Sequence, residues 1–168
     1  MKRYMLRYGL AGGGIMIVLG LLNWWAIAPN FSITTSQLIG YLGIFLALLC
    51  VPLGVRYFRD QLNDGAVTFS RAFRIGISIS LIVAVSMFLY GMLFHVFQGE
   101  EFMEWQRKNL DPESLAKMEA QLDAMPDFAL MPWFQGVILA LITFLMGLIM
   151  TLLSALFLRS SGSGQASA

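Results

Sequence analysis

The chain is 168 residues long, 58% hydrophobic and only 12% charged, with 16 glycines besides. Soluble domains run near half apolar and about a quarter charged, so this composition, with a mean hydropathy of +0.71, excludes a disordered chain and argues against a water-soluble globule. One cysteine excludes an intrachain disulfide or a redox pair, one histidine argues against a zinc or haem site, and a net charge of +1 gives no field to draw nucleic acid.

The eleven basic and ten acidic residues fall in four clusters, separated by uncharged gaps at residues 8–55, 75–99 and 128–158. A hydrocarbon core of ~30 Å takes about 20 helical residues at ~1.5 Å rise each. The first gap is long enough for two spans. It breaks at residues 29–36, where Pro29, Asn30 and a Ser/Thr cluster form a turn that lipid could not accommodate. The pattern predicts an all-α membrane protein with four transmembrane helices at about residues 8–28, 37–55, 75–97 and 133–158. These make one membrane domain over residues 1–159, followed by a Gly/Ser-rich tail, 160–168, expected to be disordered. Lys2, Arg3 and Arg7 before the first apolar run, and Ala26-Ile27-Ala28 after it, resemble a cleaved leader. The run is longer than a leader's apolar region and Pro29 follows the cleavage-like triplet, so it is read as a retained span.

Basic residues in the short connections set orientation. Lys2, Arg3 and Arg7 stand at the start, Arg56, Arg59, Arg71 and Arg74 in the second connection, and Arg159 after the last span. The connection at residues 98–132 holds Arg107, Lys108 and Lys117 against eight acids. Both termini and the arginine loop are therefore expected in the cytoplasm, with the acidic segment outside.

Membrane helices associate through close packing of small residues and a few hydrogen bonds, because lipid tails are as apolar as leucine. Each span carries small residues at four-residue spacing: Gly9 and Gly13; Gly43 and Ala47; Gly76, Ser80 and Ala84; Thr143, Gly147, Thr151 and Ala155. The expected use is packing within one four-helix bundle rather than a dimer face. Pro52, near the end of the second span, frees a carbonyl one turn back and predicts a kink.

In the arginine loop, Asn63-Asp64-Gly65 predicts a turn with a positive φ at Gly65. Around it Tyr57, Phe58, Phe69 and Phe73 interleave with Arg56, Arg59, Arg71 and Arg74. Rings beside guanidiniums suit a lipid headgroup interface, which makes these arginines candidate headgroup-binding residues and membrane lipids the expected partner. In the acidic segment, Asp111-Pro112-Glu113 reads as a helix start. Leu115, Met118, Leu122 and Met125 then recur at helical spacing, and Pro126 ends the run. Phe102 and Trp105 give a shorter stripe before it, so one or two amphipathic helices are expected there. A calcium-hand loop is missing, and the acids are read as a solvated face with no metal.

Ionisable groups inside spans are functional candidates because each is costly in lipid. No Asp, Glu, Lys or Arg falls inside a span; His95 alone can titrate, near the outer end of the third. Asn23, Tyr90 and the serines at 78, 80 and 86 are the other polar handles. The buried carboxylate of small four-span exporters, the cysteine pairs of quinone-linked disulfide enzymes and a G-x-S-x-G nucleophile motif are all missing. No catalytic residue and no cofactor is expected.

The stretch Gly54-Val55-Arg56-Tyr57-Phe58-Arg59-Asp60, then Gly65, Val67-Thr68-Phe69 and Ala72-Phe73-Arg74-Ile75-Gly76, resembles the middle of the bacterial domain of unknown function 4199 family. The plan is similar too: a basic start, four hydrophobic segments and a charged loop before the last. The sequence departs at its end, where a basic cluster is reduced to Arg159 and followed by the Ser/Gly-rich tail. The resemblance implies four spans in a bacterial inner membrane and brings no catalytic or binding residues with it. The expected role is a non-enzymatic accessory or structural protein, binding itself or another membrane protein. The alternative is a small oligomeric transporter or channel lined by Asn23, Tyr90, His95 and the hydroxyl residues, which requires a continuous polar path through the bundle.

Overall fold

A computed structural model describes residues 2–159; the tail expected to be disordered lies outside them. Helix α1 (Lys2–Leu22) runs into one wide π turn, Asn23–Ile27, closed by the Ala28 N–H on the Asn23 carbonyl at 2.8 Å. Ser32 caps α2 (Ile33–Leu48), its side chain accepting the Thr35 N–H at 3.3 Å. The helix is interrupted at Leu49 and resumes as α3 (Cys50–Tyr57), which contains Pro52. Proline has no N–H to offer the carbonyl four residues back, that of Leu48, so the helical ladder gives way there.

A second π turn, Phe58–Leu62, leads to the turn at Asn63-Asp64-Gly65, where Asp64 (φ 48°) and Gly65 (φ 77°) are both left-handed. Then comes α4, Phe69–Asn109, at 41 residues the longest element. Helix α5 (Pro112–Ala124) follows, then a 3-10 turn (Asp127–Leu130) and α6 (Pro132–Leu158). No strand occurs among the described residues. Four helical stretches are long and apolar enough to cross a membrane: Arg3–Ile27, Ile33–Leu62, Phe69–Asn109 and Pro132–Leu158.

Two ends result, one carrying the arginine loop and the other the acidic segment. Helix α4 is the central element: it lies antiparallel to α6 along their shared length and parallel to α1, while α3 fills the space between α1, α4 and α6 at the arginine end. The small-residue stripes make these approaches possible. A Cβ on Gly76 would lie 2.6 Å from Thr151 Cγ2, one on Gly147 2.7 Å from Ser80 Cβ, and one on Gly13 2.6 Å from Ser86 Cβ. Ser80 Oγ donates to the Gly147 carbonyl at 3.1 Å and lies 3.2 Å from Thr151 Oγ1, a buried polar tie between α4 and α6. The stripes of α1, α4 and α6 are thus spent within one bundle. Leu48, Val51, Val55, Ile75, Ile79, Val83 and Met87 fill the interior.

Outside, Leu10, Val18, Leu42, Val85, Leu141 and Ile149 are each more than half exposed. An apolar belt of that extent suits lipid, not water. In the acidic segment the separate short helix around Phe102 and Trp105 does not form. Helix α4 continues unbroken through both residues to Asn109, and α5 is the one free-standing helix of the segment.

Candidate functional site

At the acidic end the π turn closing α1 widens the helix and turns two side chains inward. Asn23 Nδ2 donates to the Ser36 carbonyl at 3.1 Å, and Ser36 Oγ donates to Asn23 Oδ1 at 3.2 Å, which ties α1 to α2. Trp24 Nε1 donates to Gln98 Oε1 at 3.0 Å, and its ring meets Phe94, Phe102 and Trp105 at centroid separations of 5.4 to 6.0 Å. From the extension of α4, Trp105 Nε1 donates to the Ala28 carbonyl at 3.0 Å. The aromatic residues therefore weld the projecting part of α4 to the end of α1.

Two of the three polar residues singled out by sequence share one cleft. Asn23 and Tyr90 line an apolar cavity of about 360 Å³ between α1, α2 and α4. The Tyr90 hydroxyl lies over Gly20, where a Cβ would stand 2.6 Å from it. His95 belongs elsewhere, lining a larger cleft of about 860 Å³ between the extension of α4, α5 and the start of α6. Its Nδ1 is 2.8 Å from the Gly91 carbonyl of its own helix, a contact in which the ring nitrogen donates and the carbonyl accepts. Phe94 and Phe102 flank it edge-on at 5.7 and 6.1 Å.

The hydroxyls within the helices have partners close at hand. Ser78, Ser86, Thr143 and Ser154 each donate to the carbonyl one turn back, at 2.6 to 3.0 Å. Between the two ends the centre is Leu48, Ile79, Val83 and Met87, all essentially inaccessible.

At the arginine end the four candidate guanidiniums divide into two pairs. Arg56 and Arg59 converge on one carboxylate, Asp60, at 3.4 and 2.6 Å. Arg71 donates to Asn63 Oδ1 at 3.2 Å and lies 5.6 Å from the Phe58 ring centroid, while Arg74 reaches back to the Ser70 carbonyl at 3.4 Å. Among the described residues neither Arg71 nor Arg74 meets a carboxylate. Tyr4 of α1 packs against Tyr57 and Phe58 at 6.0 Å, and Tyr8 against Tyr57 at 5.8 Å. Sequence reasoning missed Tyr4 and Tyr8 because nothing local marks an N-terminal tyrosine as the partner of a loop some fifty residues away. Among the described residues no group of three His, Cys, Asp or Glu side chains could hold a metal.

No curated protein and no solved structure matches the chain. A family model does, over residues 7–160, which takes in most of the first apolar helix, the other three, the arginine loop and the acidic segment. The chain therefore belongs to the family described as protein of unknown function DUF4199.

Proposed function

We propose that this chain is a multi-pass protein of the bacterial cytoplasmic membrane that performs no reaction of its own and acts as an accessory, binding membrane lipid and a protein partner. The arginine loop and both termini face the cytoplasm in this reading and the acidic segment faces outward. One observation carries it: the serine and threonine hydroxyls inside the bundle are engaged with backbone of their own or the adjoining helix, and the interior around them is otherwise apolar; the buried Tyr4 hydroxyl, which has no partner among the described residues, lies at the arginine end. A transporter or channel formed by one copy would need a polar path through that interior. Arg71 and Arg74, which meet no carboxylate among the described residues, are the arginines best disposed toward lipid phosphate. Arg56 and Arg59 share Asp60 and have less charge to spare.

The test is proton movement. Purified protein in sealed vesicles with an imposed pH gradient should carry no proton flux, and His95→Ala should alter stability or partner binding modestly, because the ring is hydrogen-bonded to its own helix and lines the cleft at the acidic end. A flux that His95→Ala abolishes would overturn the accessory reading and make the histidine the working group of a transporter.

A further inference from the structure

The cleft at the acidic end has features that packing does not explain. Helix α5 stands off from the bundle, packed closely against no other helix, although its sequence is amphipathic. Its Leu115, Met118 and Leu122 are half-buried, while Glu119 and Asp123 are exposed. The cleft between α5, the extension of α4 and the start of α6 holds about 860 Å³. Its apolar lining is rich in methionine: Met103 from α4, Met118 and Leu122 from α5, and Met125 just beyond. Unbranched thioethers can repack around different shapes, as surfaces that receive helices require. Its rim carries Glu100, Glu104 and Asp123 against a single Arg107. Glu104 is shared with Lys108 at 3.4 Å, leaving Glu100 and Asp123 as the unpaired acids of the rim among the described residues.

We propose that this cleft is the docking groove for a basic amphipathic helix of a partner protein on the acidic side of the membrane. The proposal rests on the accessory reading and names the chemistry of the partner. Apolar residues at i, i+3 or i+4 and i+7 would enter the methionine floor, and Lys or Arg on the flanks would meet Glu100 and Asp123. At 13 residues α5 is ~20 Å long, room for between three and four turns of such a helix.

Charge excludes the nearer alternatives. The segment at residues 98–132 has eight acids against three bases, so the same face of a second copy would be repelled. The chain's own loop arginines cannot reach, since Arg74 and Glu100 lie at opposite ends of one continuous helix, ~40 Å apart along it. An anionic bilayer surface is repelled for the same reason as a second copy.

The test uses the full chain in nanodiscs of neutral lipid, with empty nanodiscs as blank. The probes are a synthetic helix of about 14 residues with leucine on one face and lysine on the other, its glutamate counterpart, and a scrambled version without the periodicity. The lysine helix should bind above the blank, more weakly as salt rises, and the other two should not. Met118→Ser with Leu122→Ser should weaken it about tenfold or more. Glu100→Gln with Asp123→Asn leaves the apolar face intact, guarding against simple unfolding, and should both weaken binding and flatten its salt dependence. Glu119→Gln, on the exposed face of α5, should bind as wild type. Equal binding of the scrambled or glutamate peptide, or indifference to both double variants, would overturn the groove. So would failure of the lysine helix to bind; if the protein also moved no protons, the accessory reading would survive that failure. Proton flux would remove the accessory reading whether or not the peptide binds.

Discussion

Gly136 sits where α6 begins to cross α4, and its missing side chain is what lets the two helices meet. A Cβ there would lie 2.7 Å from the Phe88 carbonyl oxygen and 3.1 Å from the Met92 nitrogen, both backbone atoms of α4 that cannot swing aside. Gly91 faces it, and a Cβ on Gly91 would stand 3.1 Å from the Gly136 Cα. Gly136→Ala should therefore force the helices apart and cost about 1–3 kcal/mol, the range for overpacking a tight interior. Gly14→Ala is the control: nothing lies within 4 Å of its Cβ position, and alanine's helix preference should add up to about 1 kcal/mol. Thermal unfolding in one detergent should rank Gly14→Ala at or above wild type and Gly136→Ala clearly below it. A neutral Gly136→Ala would mean the crossing is looser than drawn. Four-residue spacing found Gly76, Ser80, Gly147 and Thr151 because each repeats along a face. It missed Gly136 because Leu139 interrupts the stripe of α6 before the face resumes, and it missed Gly91 because Met87 and His95 are its neighbours one turn away. A seven-residue spacing from Thr143 would have recovered Gly136.

The 41-residue α4, ~60 Å long, is twice what a hydrocarbon core requires. Hydropathy ends its apolar run near Phe97, which is why sequence reading stops the span there. The helix itself has no reason to stop: no proline lies between Pro52 and Pro112, and Phe94, Phe102 and Trp105 keep a face turned to Trp24 across the boundary. Polarity marks where a helix leaves the membrane, whereas breakers and caps mark where it ends. The cap of α5 was legible for that reason. Asp111 Oδ1 accepts the Glu113 and Ser114 N–H groups at 3.1 and 3.0 Å, with Pro112 in the first turn. Those bonds, led by that from Ser114, favour the charged carboxylate and hold Asp111 below its ordinary value. The sign follows: a depressed folded value contributes stability that is fully present above the unfolded carboxyl's value of ~4 and is lost as pH falls through the lower folded value. Asp111→Ala should speed amide exchange across the first turn of α5 at neutral pH. Asp111→Asn should keep the cap there yet lose the acid-dependent fraying of the wild type. Unchanged exchange in Asp111→Ala would show that the cap does not hold the helix.

For the molecule as a whole, the division of charge between the ends does more to define it than any single residue. Lys2, Arg3, Arg7 and the four loop arginines stand together at one end, while the other has eight acids and three bases. Orientation in the membrane is set by lysine and arginine in short connections, with acids contributing little. The pairing of Arg56 and Arg59 with Asp60 therefore does not weaken the bias, although it reduces the charge those arginines can offer a headgroup. The parallel packing of α1 and α4 fixes the rest: if one starts in the cytoplasm, so does the other, and the acidic cleft opens on the far side. A reporter fused after Gly65 should behave as cytoplasmic and one near Glu119 as external. Replacing Arg56, Arg59, Arg71 and Arg74 together by glutamine should leave a mixed population, because Lys2, Arg3, Arg7 and Arg159 then stand only four to three against the bases of the acidic segment. An external signal at Gly65 in the unaltered chain would reverse the topology. It would also move the acidic groove to the cytoplasmic side and with it the compartment in which a basic partner must be sought.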